Sequence, residues 1–191
     1  MKNICVFLFD GYSDWEIAYL APEIAKNKEF EIKTFSLDGK SVRSAGNLQV
    51  LPDCSLKDIK TEETTMLILP GGYTWEDGKL DYIIPLVKLS QEKKITIAAI
   101  CGATIFLARN GFLDEVKHTS NDLGFLKMVA PSYKGEHLYQ QEKAYSDNHI
   151  ITANGTAPIE FAKEIFESIS LYDSVGIEKW YQLFKNGIWS E

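Results

Sequence analysis

The sequence predicts an α/β protein in one domain, with a mostly parallel sheet sandwiched by helices on both faces. Short apolar runs that stop abruptly at Asp, Gly or Pro (Ile4–Phe9, Thr65–Leu69, Ile95–Ile100) read as strands buried on both faces. Between them, stretches of about 10–15 residues carry apolar side chains at helical spacing, so strand and helix alternate. A length of 191 residues suits one sizeable core, and no Pro/Gly/Ser-rich linker divides it.

Ile4–Phe9, rich in β-formers, ends at Asp10-Gly11. From Ser13 to Lys26, Trp15, Ile17, Leu20, Ala21, Ile24 and Ala25 recur at helical spacing. Phe30–Phe35 alternates as a second strand, and Asn47–Leu51 is another extended piece. Thr65–Leu69 is cut off by Pro70-Gly71-Gly72, where the backbone must turn sharply. A helix over Leu80–Glu92, its start blurred by Pro85, precedes the strand Ile95–Ile100. The next helix, through Ile105 and Ala108, stops at Asn110-Gly111. A short strand is expected over Val116–Thr119, a helix from Ser120 or Asn121, and a strand over His149–Ala153. Pro158 opens a helix whose apolar face holds Ala162, Ile165, Phe166 and Ile169, and a last amphipathic helix at about residues 173–187 carries Trp180, Tyr181 and Leu183.

Composition excludes several classes. Twenty Lys+Arg against 27 Asp+Glu give a net charge of −7 with no basic run, so binding nucleic acid by phosphate neutralisation is not expected. The apolar N-terminal run is too short for a secretion signal or a membrane span, and the expectation is a soluble cytoplasmic protein with no membrane partner. Cys5, Cys54 and Cys101, odd in number and far apart, fit free thiols in a reducing compartment. The histidines and cysteines lack zinc-ligand spacing, and Pro70-Gly71-Gly72 is neither a P-loop nor a dinucleotide fingerprint. No metal and no cofactor are expected.

Sites in such sheets lie at the carboxyl ends of the strands, where Asp10–Glu16, Pro70–Trp75 and Ile100–Thr104 should meet. The most informative stretch is Ile97-Ala98-Ala99-Ile100-Cys101-Gly102-Ala103-Thr104, in which a buried strand delivers a cysteine onto a tight turn that opens a helix. That is nucleophile-elbow geometry. The helix dipole favours a thiolate there, and the following amides can cradle an oxyanion. The bland alternative is a small buried hydrophobe.

Ala98-Ala99-Ile100-Cys101-Gly102, Leu69-Pro70-Gly71-Gly72, an acid after the first strand, Val50-Leu51-Pro52-Asp53-Cys54-Ser55-Leu56 and Ile150-Ile151-Thr152-Ala153-Asn154-Gly155 follow one another in an order that resembles the ThiJ/PfpI family. The resemblance implies a flavodoxin-like fold of the class I glutamine amidotransferase-like kind, with Cys101 as the reactive cysteine and Glu16 approaching its sulfur. A buried carboxyl beside a thiolate would stay protonated and donate to sulfur. The competing role for Glu16 is a capping box, Ser13-Asp14-Trp15-Glu16, in which it reaches back to the Ser13 amide. Gly72 and Gly102 match the oxyanion positions, with Gly71 beside them, and Trp75 and Tyr12 either wall the pocket or simply pack. His118 lies near the family's Thr-Thr-His-like segment, but an ungapped reading puts Thr119 at that position. Either His118 reaches Cys101, or the site relies on Glu16 and the oxyanion amides.

The resemblance implies a cysteine-dependent hydrolase or lyase acting on small electrophilic carbonyls or their protein adducts, deglycase- or glyoxalase-like. The alternatives are a redox-sensing stress-response protein with an oxidisable Cys101, and an intracellular peptidase or amidase. Glutaminase activity is not expected, because Thr156-Ala157-Pro158-Ile159-Glu160 has no histidine. A homodimer is the assembly the resemblance implies; Cys54 falls where relatives often have a subunit interface, but a surface or half-buried structural cysteine is the expected account of it. Trp180, Tyr181, Phe184 and Trp189 cover either the core or a partner.

Overall fold

The apolar runs become the centre of a seven-stranded sheet in a computed structural model that describes residues 2–189. The strands are β1 (Lys2–Phe7), β2 (Phe30–Ser36), β3 (Val42–Arg43), β4 (Gln49–Val50), β5 (Cys54–Ser55), β6 (Thr64–Leu69), β7 (Thr96–Ile100), β8 (Ala144–Asp147) and β9 (Ile150–Ala153). The sheet order is β5-β2-β1-β6-β7-β9-β8, and β3 and β4 pair in a separate ribbon. Every neighbour in the main sheet is parallel except β8 against β9. Registers such as Ile4↔Met66, Leu69↔Ala99 and Ile100↔Ala153 bring the carboxyl ends of β1, β6, β7 and β9 level with one another.

The helices are α1 (Leu20–Lys26), α2 (Ile84–Glu92), α3 (Gly102–Arg109), α4 (Leu123–Val129), α5 (Pro158–Ile169) and α6 (Ser174–Asn186). The chain steps from β1 to β2 in one direction and from β6 to β7 in the other, so right-handed crossovers place α1 and α2 on opposite faces. Helix α5 packs on β8, β9, α1 and α6, whereas α2 and α3 pack on β7. Among the described residues no helix is long and apolar enough to cross a membrane.

Several expected elements take a different form. The helix expected over Ser13–Lys26 is a 3₁₀ turn, Asp14–Glu16, followed by α1. Pro22 lacks an N–H and is accommodated within the first turn of a helix that starts at Leu20. Pro85 likewise falls at the second residue of α2, after a 3₁₀ turn at Asp81–Ile83. Val116–Thr119 is not a strand beyond a single bridge from His118 to Tyr139. Its amides turn to side chains instead: Lys117 N–H donates to Asp147 and Thr119 N–H to Thr152 Oγ1. The next helix starts only at Leu123, because the Asp122 carboxylate caps it by accepting the Phe125 N–H at 2.7 Å. That leaves Asn121 in a loop. Of the C-terminal aromatics, Trp180 is buried edge-on against Phe166, with ring centroids 4.7 Å apart, whereas Phe184 and Trp189 are exposed.

Candidate active site

Four adjacent strands each deliver a loop to one place. β7 ends at Cys101, whose φ of 56° and ψ of −124° put a non-glycine residue in a region L side chains avoid. The strand pairing holds the elbow there, since Cys101 N–H donates to Ala153 O at 3.0 Å. The Thr104 hydroxyl donates back to Cys101 O at 2.6 Å and meets Ser120 Oγ at 2.6 Å. The sulfur emerges at the start of α3, partly exposed.

β6 ends at Pro70-Gly71-Gly72, and glycine is required there by space as well as by turning. A Cβ on Gly71 would lie 2.6 Å from Cys101 Cβ and 2.8 Å from a Glu16 oxygen. Gly72, at φ +149°, has its Cβ direction blocked by Gly11 O at 2.8 Å, and a Cβ on Gly102 would collide with Gly72 O. The Gly102 amide, at the start of α3, favours the ionised form of the sulfur.

Glu16 comes from the 3₁₀ turn after β1 and is wholly buried. It does not close the capping box: Ser13 makes no side-chain cap, and Glu16 Oε2 accepts the Gly71 N–H at 2.5 Å. Burial pushes its carboxyl up to about 7, against the lowering effect of the Gly71 hydrogen bond and of the neighbouring Cys101 and Ser13 side chains. Oε1 is buried with no hydrogen-bond partner among the described residues. Burial also raises the Cys101 thiol, and an ionised Glu16 raises it further, while Asn121 and Gly102 pull it down. Charge on either group disfavours charge on the other, and the Glu16 carboxyl keeps its proton up to about pH 7.

The structure does not bring His118 to the sulfur. It is fully buried, with Nδ1 2.7 Å from Val116 O and Nε2 2.6 Å from Tyr133 Oη. A carbonyl only accepts, so Nδ1 carries the hydrogen and Nε2 accepts from the tyrosine. Burial depresses its pKa. Thr119, the other residue considered, donates its hydroxyl to Glu142 O. Trp75 and Tyr12 are buried too; Trp75 donates to Pro70 O at 2.8 Å and packs on Phe7, Phe9 and Phe106, supporting the glycine loop from behind.

Two residues that sequence reasoning did not assign complete the site. Asn121 Nδ2 donates to Cys101 Sγ at 3.3 Å, and its Oδ1 accepts the Gly155 N–H at 2.8 Å. A Cβ on Gly155, at the end of β9, would lie only 2.7 Å from Sγ. Asn121 reads in the sequence as a helix start, and Gly155 as the end of a motif that precedes a helix. The sulfur opens onto a cleft of about 180 Å³, walled by Trp15, Tyr73, Ile105 and Phe125, with Glu76 as the charged side chain on its lining.

A cysteine on a strained elbow, a buried acid from the first loop and a Pro-Gly-Gly turn are accompanied by a match of residues 2–168 to the DJ-1/PfpI family model. The chain belongs to the DJ-1/PfpI family. Among relatives of this DJ-1/PfpI protein is the uncharacterized protease YoaZ of Bacillus subtilis, 36% identical, covering 96% of this chain and 91% of the relative. The crystal structure of a thiJ/pfpI family protein from Bacillus anthracis superposes with a TM-score of 0.89 at 38% identity, covering 98% of this chain and 92% of that one. The glutathione-independent glyoxalase DJR-1.2 of Caenorhabditis elegans is 30% identical over 75% of this chain and 73% of its own.

Proposed function

We propose that this DJ-1/PfpI protein is a cofactor-free, cysteine-dependent enzyme that converts small 2-oxoaldehydes, free or as adducts on protein, into 2-hydroxy acids. The observation that carries it is the pairing of Cys101 with a buried carboxyl raised to about 7, beside glycine amides and a cleft of about 180 Å³. Such a cleft suits a substrate of few heavy atoms. The Cys101 thiol passes its proton to an ionised Glu16 as the sulfur adds to the aldehyde carbon, the S–C bond forming while the carbonyl pair moves to oxygen, which Gly102 and Gly72 amides stabilise and the newly protonated Glu16 protonates. Glu16, now ionised, takes the proton from that carbon and returns it to the neighbouring ketone carbon, while the hydroxyl proton passes to the second oxygen. Water then hydrolyses the resulting thioester. The sum is substrate plus one water, with no net oxidation.

The kinship with a named glyoxalase supports this chemistry, and a name of protease on a relative supports the peptidase alternative. Peptide hydrolysis ranks lower because the histidine that would serve a cysteine protease, His118, is committed to Val116 and Tyr133. A second reading, redox sensing, is favoured by Glu16 Oε1, buried and without a hydrogen-bond partner in the site of the sulfur, where an oxygen added to sulfur would find a donor in the protonated acid.

The test is consumption of methylglyoxal and phenylglyoxal with identification of the 2-hydroxy acid formed. Cys101→Ser and Glu16→Gln are expected to lower kcat/KM by roughly a hundredfold or more, the scale of losing a nucleophile or a proton carrier. Unchanged turnover in Cys101→Ser overturns the proposal. A stable gain of two oxygens at Cys101 under peroxide, with no turnover of either aldehyde, decides for sensing.

A further inference from the structure

The side chain that touches the sulfur from the segment after α3 is an amide, and its orientation is fixed. The Gly155 N–H can only donate, so the atom of Asn121 that meets it at 2.8 Å is Oδ1. The NH₂ end is therefore the one that faces Sγ at 3.3 Å. The loop itself is pinned, because Asn154 Nδ2 donates to the Asn121 carbonyl at 3.0 Å. Gly155 makes the approach possible, since any Cβ there would occupy the space of the sulfur.

We infer that Asn121 is a catalytic residue of this site: a neutral, pre-oriented donor that holds charge on the Cys101 sulfur where a cysteine–histidine pair would place an imidazole. The inference rests on the proposed cysteine chemistry and adds a consequence to it. An amide cannot take up a proton at any working pH. The titratable groups facing the sulfur are then Glu16, from the loop after β1, with Glu76 and Tyr73 at the rim of the cleft. His118 is held away by its own partners. Proton exchange at the sulfur belongs to Glu16, the buried acid beside it, and Asn121 sets how readily the thiolate forms.

The experiment is the pH dependence of Cys101 alkylation by iodoacetamide, an uncharged reagent, read by peptide mass spectrometry on the full chain. Asn121→Ala is expected to move the inflection up by about one unit and slow reaction at pH 7 by about tenfold. Asn121→Asp keeps an oxygen for Gly155 but sets a carboxylate against the sulfur, so its inflection rises further. Asn121→His is expected to introduce a new inflection in the range of imidazole, about 6.5. Thermal melts check folding, and Asn121→Asp, which preserves the Gly155 hydrogen bond, decides the matter if Asn121→Ala does not fold. Inflections of Ala and Asp variants identical to the wild type overturn the inference, as does a wild-type Cys101 that fails to react at any pH. Methylglyoxal turnover measured in parallel separates the two claims. Shifted alkylation without wild-type turnover leaves Asn121 in its role and sinks the enzymatic proposal. Turnover with unshifted alkylation does the reverse.

Discussion

The Glu16 carboxylate accepts the amide of Gly71 at 2.5 Å, and the same Gly71 gives its carbonyl to the Ser13 N–H at 2.9 Å. The first loop is thus clamped to the glycine turn from both sides, with no space between them. A Cβ added at Gly71 would meet Cys101 Cβ and both Glu16 oxygens within 3 Å, the first fixed to the backbone at a strand end and the others on a wholly buried side chain. Gly71→Ala is therefore expected to separate acid from sulfur and to lose about 1–3 kcal/mol of stability, the usual cost of overpacking. Urea unfolding together with the rate of Cys101 alkylation checks this; an unchanged rate would mean that the clamp does not position the pair.

The raised Glu16 carboxyl makes stability depend on pH with a definite sign. Its folded value of about 7 exceeds the ordinary 4.5, so between these values the native state keeps a proton that the unfolded chain has released. The contribution is complete below pH 4.5 and is lost as pH rises through about 7, on the order of 3 kcal/mol in all. Glu16→Gln, which cannot ionise, is expected to remove this slope while keeping the acceptor for Gly71. Unfolding free energies of both proteins at pH 5, 6, 7 and 8 test it, and parallel curves would place the ionisation elsewhere.

Strain at the elbow predicts an inverted order of two substitutions. At an ordinary site Gly is less stable than Ala by about 0.5–1 kcal/mol. At Cys101 the backbone sits at φ 56°, ψ −124°, where a Cβ costs about 1–3 kcal/mol and glycine relaxes freely. Cys101→Gly is expected to be at least as stable as Cys101→Ala, with both inert toward aldehydes. Paired melting curves decide: Ala more stable than Gly would show that the elbow stores no strain.

The central strands β1, β6, β7 and β9 were legible as short apolar runs bounded by turn residues, and β2 by its alternation. Edge strands are another matter: Cys54-Ser55 and Ala144-Tyr145-Ser146-Asp147 are short or polar, and they pair only because a neighbour offers an open ladder. The elbow was visible in Cys101-Gly102, since a cysteine between a buried strand and a helix with small neighbours implies its own geometry. The role of Glu16 was ambiguous, for the capping-box spacing fits it equally well and only the position of Gly71 N–H decides. Asn121 could not be found from spacing at all. It is brought to the sulfur by Asp122 starting the helix late and by Gly155 arriving from a strand 34 residues further on.

His118 supplies the opposite test, of a residue whose place in the sequence suggests chemistry and whose hydrogen bonds are those of a scaffold. Its ring bridges Val116 O and Tyr133 Oη at 2.7 and 2.6 Å and stands edge-on to Tyr133 and Tyr139. Burial lowers its pKa below the ordinary 6.5, so on acidification the unfolded chain takes up a proton that the native ring resists. Its contribution is present above pH 6.5 and is lost as pH falls, the reverse of the slope from Glu16. His118→Leu leaves the tyrosine hydroxyl and the Val116 carbonyl without this partner and is expected to cost about 2–3 kcal/mol. The inflection for Cys101 alkylation should stay in place, because the sulfur takes its hydrogen bond from Asn121 and the Gly102 amide adds to the stabilisation of its charge. Denaturation and alkylation on the same preparation give the answer. A stable variant whose alkylation profile shifts would return His118 to the chemistry, and an unstable one with the wild-type profile leaves it in the scaffold.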